Sequence, residues 1–533
     1  MNRLLTTFVV GLAGIQGITL AAESRPRLVV GIMVDQLRTD YLENLKEMFG
    51  NGGFKRLMES GVYFKDVDFK VADSDATSAS AIVQTGSYPR YNGITGKMIY
   101  DPQSKSLTPV FNDPGFIGNF TTETYSPAAL RVTTLTDEIG LDNNGVSKIH
   151  VIAPDASQAI VMAGHTANSA FWINDDTGKW STTTYYPNPP AALQNKNYNN
   201  PLVSRLDTMR WTPLKKGEPY PDIPQRDIKD GFRYNFSRSD RDVFTQYKQS
   251  PYVNSDITQA ATEYIMDLNL GKNQESIDVL NIGYTLAPYS GTNSDNYKYP
   301  LQDAYIRLDK DLERLFTALD RQIGKDNVLV YLVSTGYFTE PERESQTHKL
   351  PGGTFSVKRA LSLLNSYLSA KYGNGAFVDA YNEGQVFLSK ALIEERNLDV
   401  NTVTSDARDF LIKVSGVSDA FTLSELISPL GSHLDSHRIA IDPKTSGDII
   451  LEFNPGWKVV DDTHFPVKNN IDKTSIYPAP AFIMGSEFAP ATIEETVDAI
   501  AIAPTISKAL RIRAPNSSST GPISLKSAIK KAQ

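Results

Sequence analysis

The chain has 533 residues, 40% of them hydrophobic and 21% charged, with a net charge of −8. That make-up fits a folded globular protein, excludes a disordered one, and leaves no basic footprint for nucleic acid. The absence of cysteine rules out disulfides, thiolate metal sites and an N-terminal lipid-bearing cysteine, so stability must come from core size, which this length permits.

Residues 1–24 (MNRLLTTFVVGLAGIQGITLAAES) combine an early arginine, an apolar run and a small-residue exit. This predicts a signal peptide over residues 1–22, cut near Ala21 or Ala22, and a periplasmic or otherwise exported destination. The alternative, an N-terminal membrane anchor, is disfavoured because Gly11, Gly14, Gln16 and Gly17 interrupt the apolar run. No later segment approaches the ~20 apolar residues that a membrane helix needs, so an integral membrane protein is not expected.

RLVVGIMVDQL, Arg27 to Leu37, is a near-continuous apolar run ending in a carboxylate, the pattern of a parallel strand buried on both faces. Helical text follows at 41–49 and 53–60, then strand text at 62–69, 148–153, 278–284 and 327–334, with an amphipathic helix over 303–319. Strand text returns at 479–485, and 502–510 forms a last helix. Strands alternating with helices predict an α/β fold built on a doubly wound, mostly parallel sheet. Two stretches break the rhythm: 172–255, rich in Tyr, Asn and Pro, and 373–472. Both read as capping insertions, the first of loops and short strands with its tyrosines in exposed loops, the second of short strands and helices, leaving core segments at 23–171, 256–372 and 473–533.

The stretch KVADSDATSASAIVQTGSYPRYNGI, Lys70 to Ile94, reads as a strand end, a small-residue turn and a short helix closing on TGS. Together with LVVGIMVDQLRTDYL, AGHTANSAFWINDDTGKW, DAYIRLDKDLERL and THKLPGG, it resembles the alkaline phosphatase superfamily. The resemblance is to phosphate-irrepressible alkaline phosphatases and their nucleotide pyrophosphatase/phosphodiesterase relatives, and it spans nearly the whole chain after residue 24. It implies a site with two zinc ions and a Thr or Ser nucleophile at the carboxyl ends of the central strands. Two such ions stabilise the attacking and leaving oxygens of an in-line displacement, and zinc needs His nitrogen or carboxylate oxygen to hold it.

Carried over by position, the resemblance puts a metal-binding aspartate at Asp35 and the nucleophile at Ala76, nine residues before Thr85 of TGS. It puts further metal ligands at Tyr284, Pro288, Thr335, Gly336 and Pro478, and phosphate-contacting groups at Lys97, Asp155 and Ser157. One expected ligand of six is therefore retained, and the nucleophile position holds alanine. Thr77, Ser78 and Ser80 lie in the same turn, but a hydroxyl is weak without a base, cation or metal beside it. They are read as capping a helix that starts near Ser78. Asp35 is read as accepting backbone N–H groups of the helix that follows it, and Asp73, Asp75 and Asp155 as adding negative charge nearby. His433 and His437 have metal-like spacing but are read as a surface pair, His165 as a core-edge residue and His348 as ordering a loop.

The expectation is thus a catalytically degenerate relative that binds an envelope protein or a glycan, without a resident cofactor. The alternative is a metal-dependent phosphomonoesterase or phosphodiesterase with rearranged ligands, two zinc ions and Thr77 as nucleophile.

Overall fold

The computed structural model describes residues 25–71, 74–187, 189–289, 297–339, 352–428, 434–454, 457–463, 468–469, 473–474 and 477–525. Ten strands build the central sheet: Leu28–Asp35 (β1), Val62–Phe64 (β2), Gly118–Asn119 (β3), Ile149–Ile152 (β4), Ser169–Ile173 (β5), Trp180–Thr183 (β6), Asp278–Thr285 (β7), Val328–Ser334 (β8), Ala481–Met484 (β9) and Ala491–Ile493 (β10). Their order is β10-β2-β9-β8-β1-β7-β4-β5-β6-β3. Only β6 and β9 run against the rest, so the expected mostly parallel sheet is present. The return at 479–485 enters it as a reversed strand between β8 and β2.

Alternation along β1 feeds two cores. Val30, Ile32 and Val34 face a layer containing helices Pro251–Asp267 (α4) and Lys298–Gln322 (α5). Val29 and Met33 face helices Ala76–Thr85 (α1), Leu135–Asp142 (α2), Ala156–Ala163 (α3) and Ile502–Leu510 (α6). Burial on both sides explains why β1, β7 and β8 read as unbroken apolar runs.

One polar network crosses the second core. Asn281 of β7 donates to Thr136 Oγ1 at 2.9 Å and to the Met162 carbonyl at 2.7 Å, while Gln84 of α1 donates to the Tyr331 hydroxyl at 2.9 Å. Gly31 makes room for it: a Cβ there would stand 2.3 Å from both Asn281 Oδ1 and the Tyr331 hydroxyl.

The 172–255 stretch departs from the exposed-loop expectation. Trp211, Tyr220, Phe236 and Tyr247 are all buried, as are Tyr289 and Tyr299 of the following segment, and Trp211 packs on Phe232, Tyr234 and Tyr289 at ring separations of 5.4–5.6 Å. Aromatic area in this stretch is spent on a core continuous with α4 and α5. Farther along, a four-stranded sheet over Val378–Asn382, Gln385–Leu388, Val417–Thr422 and Ile449–Phe453 carries its own apolar cluster. The Arg131 guanidinium grips the fully buried Asp442 with two hydrogen bonds of 2.7 and 2.6 Å, joining that part to the segment after Leu130, where the Arg131 N–H donates to the Asn92 carbonyl. Among the described residues, no helix is long and apolar enough to cross a membrane.

Candidate functional site

The carboxyl ends of β1, β7 and β8 open on one side of the sheet, where open α/β sheets place their ligands. Asp35 closes β1. Thr335, just past β8, donates its hydroxyl to Asp35 Oδ1 at 3.0 Å and accepts the Gln36 backbone N–H at 3.0 Å. The Tyr337 hydroxyl also bonds Asp35. Gln36 takes a left-handed conformation, φ 61°, and its Oε1 accepts the Thr339 N–H at 2.9 Å and hydroxyl at 2.7 Å. Left-handed glutamine is uncommon, and here side-chain hydrogen bonds on both sides hold it. Burial pushes the Asp35 carboxyl up to about 6; bonds from Tyr337 and Thr335 oppose the rise, and the charge of Asp75 adds to it.

Beside it stand the starts of α1 and α3. Asp75, not a residue near Ser78, is the N-cap of α1: its Oδ1 accepts the Ser78 N–H at 2.8 Å in a capping box. Asp75 Oδ2 accepts the Lys97 backbone N–H at 2.7 Å. Ala76 therefore opens the helix, and Thr77, Ser78 and Ser80 lie within it. Thr77 and Ser157 share a hydroxyl–hydroxyl bond of 2.7 Å, Ser157 Oγ donates to Asp155 Oδ1 at 2.7 Å, and Lys97 Nζ donates to Asp155 Oδ2 at 2.6 Å. Burial alone would raise the Asp155 carboxyl, but Lys97 and then Lys248 outweigh it and hold it well below the usual carboxylate range. The same pair drives the Lys97 ammonium up. Asp155 is thus a poor base, and the Thr77–Ser157–Asp155 chain carries no group able to strip a proton from Thr77. The structure brings Ala76, Thr77, Lys97, Asp155 and Ser157 together, and Lys97, Asp155 and Ser157 line a cavity of about 60 Å³.

The other predicted positions are dispersed. Gly336 has φ 73°, and a Cβ there would stand 2.0 Å from Phe69 Cδ2, so the ring of buried Phe69 fills the space a side chain would need. Tyr284 does not line the mouth. It pairs with Val34 in register, one residue before the Asp35–Thr285 pair, and shares the core on the α4 side of the sheet, where its hydroxyl meets Thr258 at 2.7 Å. Pro288 lies in the loop after β7. Pro478 uses its carbonyl to accept the Thr39 N–H at 3.0 Å, and neighbouring Tyr477 stacks 3.4 Å from the Arg38 guanidinium. Sequence reasoning missed Gln36, Phe69 and Tyr337; the only signal was their closeness in sequence to Asp35, the first strands and Gly336.

Asp35 does not cap the next helix: Thr39–Asn44 has Arg38 at its N-cap and no side-chain capping bond. His165 sits at the core edge as expected, its Nδ1 2.9 Å from Asp137 Oδ2 and its Nε2 3.1 Å from the Leu130 carbonyl. His437 belongs to the short helix Asp435–Ala440, half-buried, and pairs with Glu452 at 2.7 Å. Asp73, His348 and His433 lie outside the described residues, as does the signal-peptide stretch. Among the described residues, no group of three or more His, Asp or Glu side chains is placed to hold a metal ion.

Comparison with known proteins accounts for this arrangement of strands and helix starts. The family model for type I phosphodiesterase / nucleotide pyrophosphatase matches residues 29–475. The chain is 28% identical to the alkaline phosphatase PafA of Elizabethkingia meningoseptica over 538 residues, 94% of each chain. It is equally identical to the alkaline phosphatase PhoV of Synechococcus elongatus over 512 residues, 93% of this chain and 92% of that one. The crystal structure of wild-type PafA superposes with a TM-score of 0.79 at 26% identity, covering 94% of this chain and 98% of PafA. On fold and sequence alike, the chain belongs to the type I phosphodiesterase / nucleotide pyrophosphatase family, within the alkaline phosphatase superfamily.

Proposed function

We propose that this chain has kept the alkaline phosphatase frame without its two-zinc chemistry and acts by binding, in the bacterial periplasm or cell envelope. The observation that carries the reading is the surroundings of Asp35: its partners are the hydroxyls of Thr335 and Tyr337 and the amide of Gln36, and at Gly336 a phenylalanine ring takes the room a ligand side chain would need. Neutral hydroxyls and an amide do not fit zinc, which takes imidazole, thiolate or carboxylate. A variant of PafA with four substitutions supports the positional reading. It changes a threonine, an asparagine 21 positions on, and a lysine and an arginine separated by one residue. Ala76 and Lys97 repeat the first spacing and Asp155 and Ser157 the second. Thr77, one residue into α1, has a hydroxyl and no base as its neighbour.

Zinc content and p-nitrophenyl phosphate turnover of the purified protein test the proposal. The expected result is less than one tightly held zinc ion per chain and no turnover above the blank. Two zinc ions with chelator-sensitive turnover would overturn it and favour a phosphate-ester hydrolase with rearranged ligands.

A further inference from the structure

The cavity beside α1 and α3 extends beyond the phosphate-contacting positions to residues that the family comparison leaves unassigned: Glu123, Tyr125, Trp172, Asp175 and Lys248. Its chemistry is mixed. Lys97 pairs with Asp155 and Lys248 with Asp175, so each ammonium already has a carboxylate partner. Glu123 Oε2 accepts the Trp172 indole N–H at 2.8 Å and the Thr121 hydroxyl at 2.9 Å, leaving Oε1 as an acceptor. The Tyr125 hydroxyl has no hydrogen-bond partner among the described residues, and its ring lies 6.1 Å from that of Trp172. Each lysine, with three donors, spends one on its carboxylate.

These facts discriminate between ligand classes. Lys97, Lys248, Asp155, Asp175 and Glu123 sum to one net negative charge, so a phosphate dianion would meet net repulsion from the lining. An organic cation would face two ammonium groups. A neutral molecule carrying many hydroxyls meets neither cost: it can donate to Glu123 and Asp175, accept from Lys97, Lys248 and Tyr125, and lay an apolar face on the half-buried ring of Tyr125, which fully buried Trp172 backs from behind. At about 60 Å³ the cavity admits the hydroxyl-bearing edge of one ring.

We propose that this cavity binds the terminal residue of a neutral glycan. The proposal rests on the non-catalytic reading above and names its ligand. Saturation-transfer NMR on the full chain tests it with methyl β-glucoside, methyl β-galactoside, N-acetylglucosamine and inorganic phosphate as probes. At least one of the three saccharides is expected to bind saturably, with an affinity unchanged by added salt. Tyr125→Ala should weaken that binding about tenfold or more and Tyr125→Phe only a few-fold, with circular dichroism and thermal midpoint showing both variants folded. The proposal is overturned if no saccharide binds the wild type, if folded Tyr125→Ala binds like the wild type, or if phosphate alone binds. Phosphatase turnover, measured separately, would defeat the non-catalytic reading while leaving the saccharide result legible.

Discussion

Two aspartates, one at the junction of the 172–255 stretch with α5 and one at the mouth of the sheet, are buried in different company. Asp303 of α5 is fully buried and accepts four hydrogen bonds: from Trp211 Nε1 at 2.8 Å, the Leu214 N–H at 2.6 Å, the Tyr220 hydroxyl at 3.1 Å and Arg307 Nε at 2.7 Å. Its donors include a cation, and its charge is matched locally. Asp35 has neutral donors and the acidic Asp75 nearby, so its surroundings favour the protonated form. Burial is common to both; only Asp303 has the partners of a structural anion.

The comparison can be broken at either end. The largest effect is expected from Asp303→Ala, which strips four donors of one acceptor and leaves Arg307 without its carboxylate. The variant should lose about 3–5 kcal/mol of stability in urea unfolding, and loss of near-ultraviolet dichroism from Trp211 should accompany it. A change below 1 kcal/mol would mean that the first capping stretch is held by its aromatic core alone.

At the mouth, Gly336→Ala forces a methyl group against Phe69 at a backbone conformation that favours glycine. The expected cost is about 3 kcal/mol from overpacking and the left-handed φ together. Phe69→Ala made in the same chain should recover part of it, so the two changes are non-additive in a double-mutant cycle. Strict additivity would show that Phe69 does not set the shape of this floor.

Asp35→Asn sharpens the contrast with the smallest effect and the opposite sign. Because the folded-state value of about 6 lies above the ordinary 3.8, folding binds this proton more tightly. The associated stability is full below pH 3.8 and is lost as pH rises through 6. Removing the charge should therefore stabilise the protein at mildly alkaline pH by at most about 3 kcal/mol, less what the amide loses as an acceptor for Thr335 and Tyr337. It should also flatten the pH dependence of the thermal midpoint. Were zinc bound at Asp35, the same substitution would destabilise.

Much of this frame was legible because long apolar runs leave few alternatives. β1, β7 and β8 follow their predicted text within a residue or two, and α6 occupies 502–510 as read. The reversed direction of β9 was not legible, since a four-residue strand looks alike either way round. The exposed reading of 172–255 failed for a compositional reason: Tyr, Asn and Pro suggest loops, while the burial of Tyr220 and Tyr247 depends on Asp303 and Asp256, 83 and nine residues away. At the site, Asp35 and the α1–α3 cluster came out together because each adjoins an element end. Tyr284 did not, because a one-residue difference in register decides which face of the sheet a side chain meets.

Gly31 lies four residues before Asp35, about 13 Å down the same strand. The closure of Asn281, Tyr331 and Gln84 around it places a tightly matched girder beneath a replaceable rim. Variation at the rim leaves that girder untouched, whereas a single added methyl at Gly31 would have to push apart three strands at once.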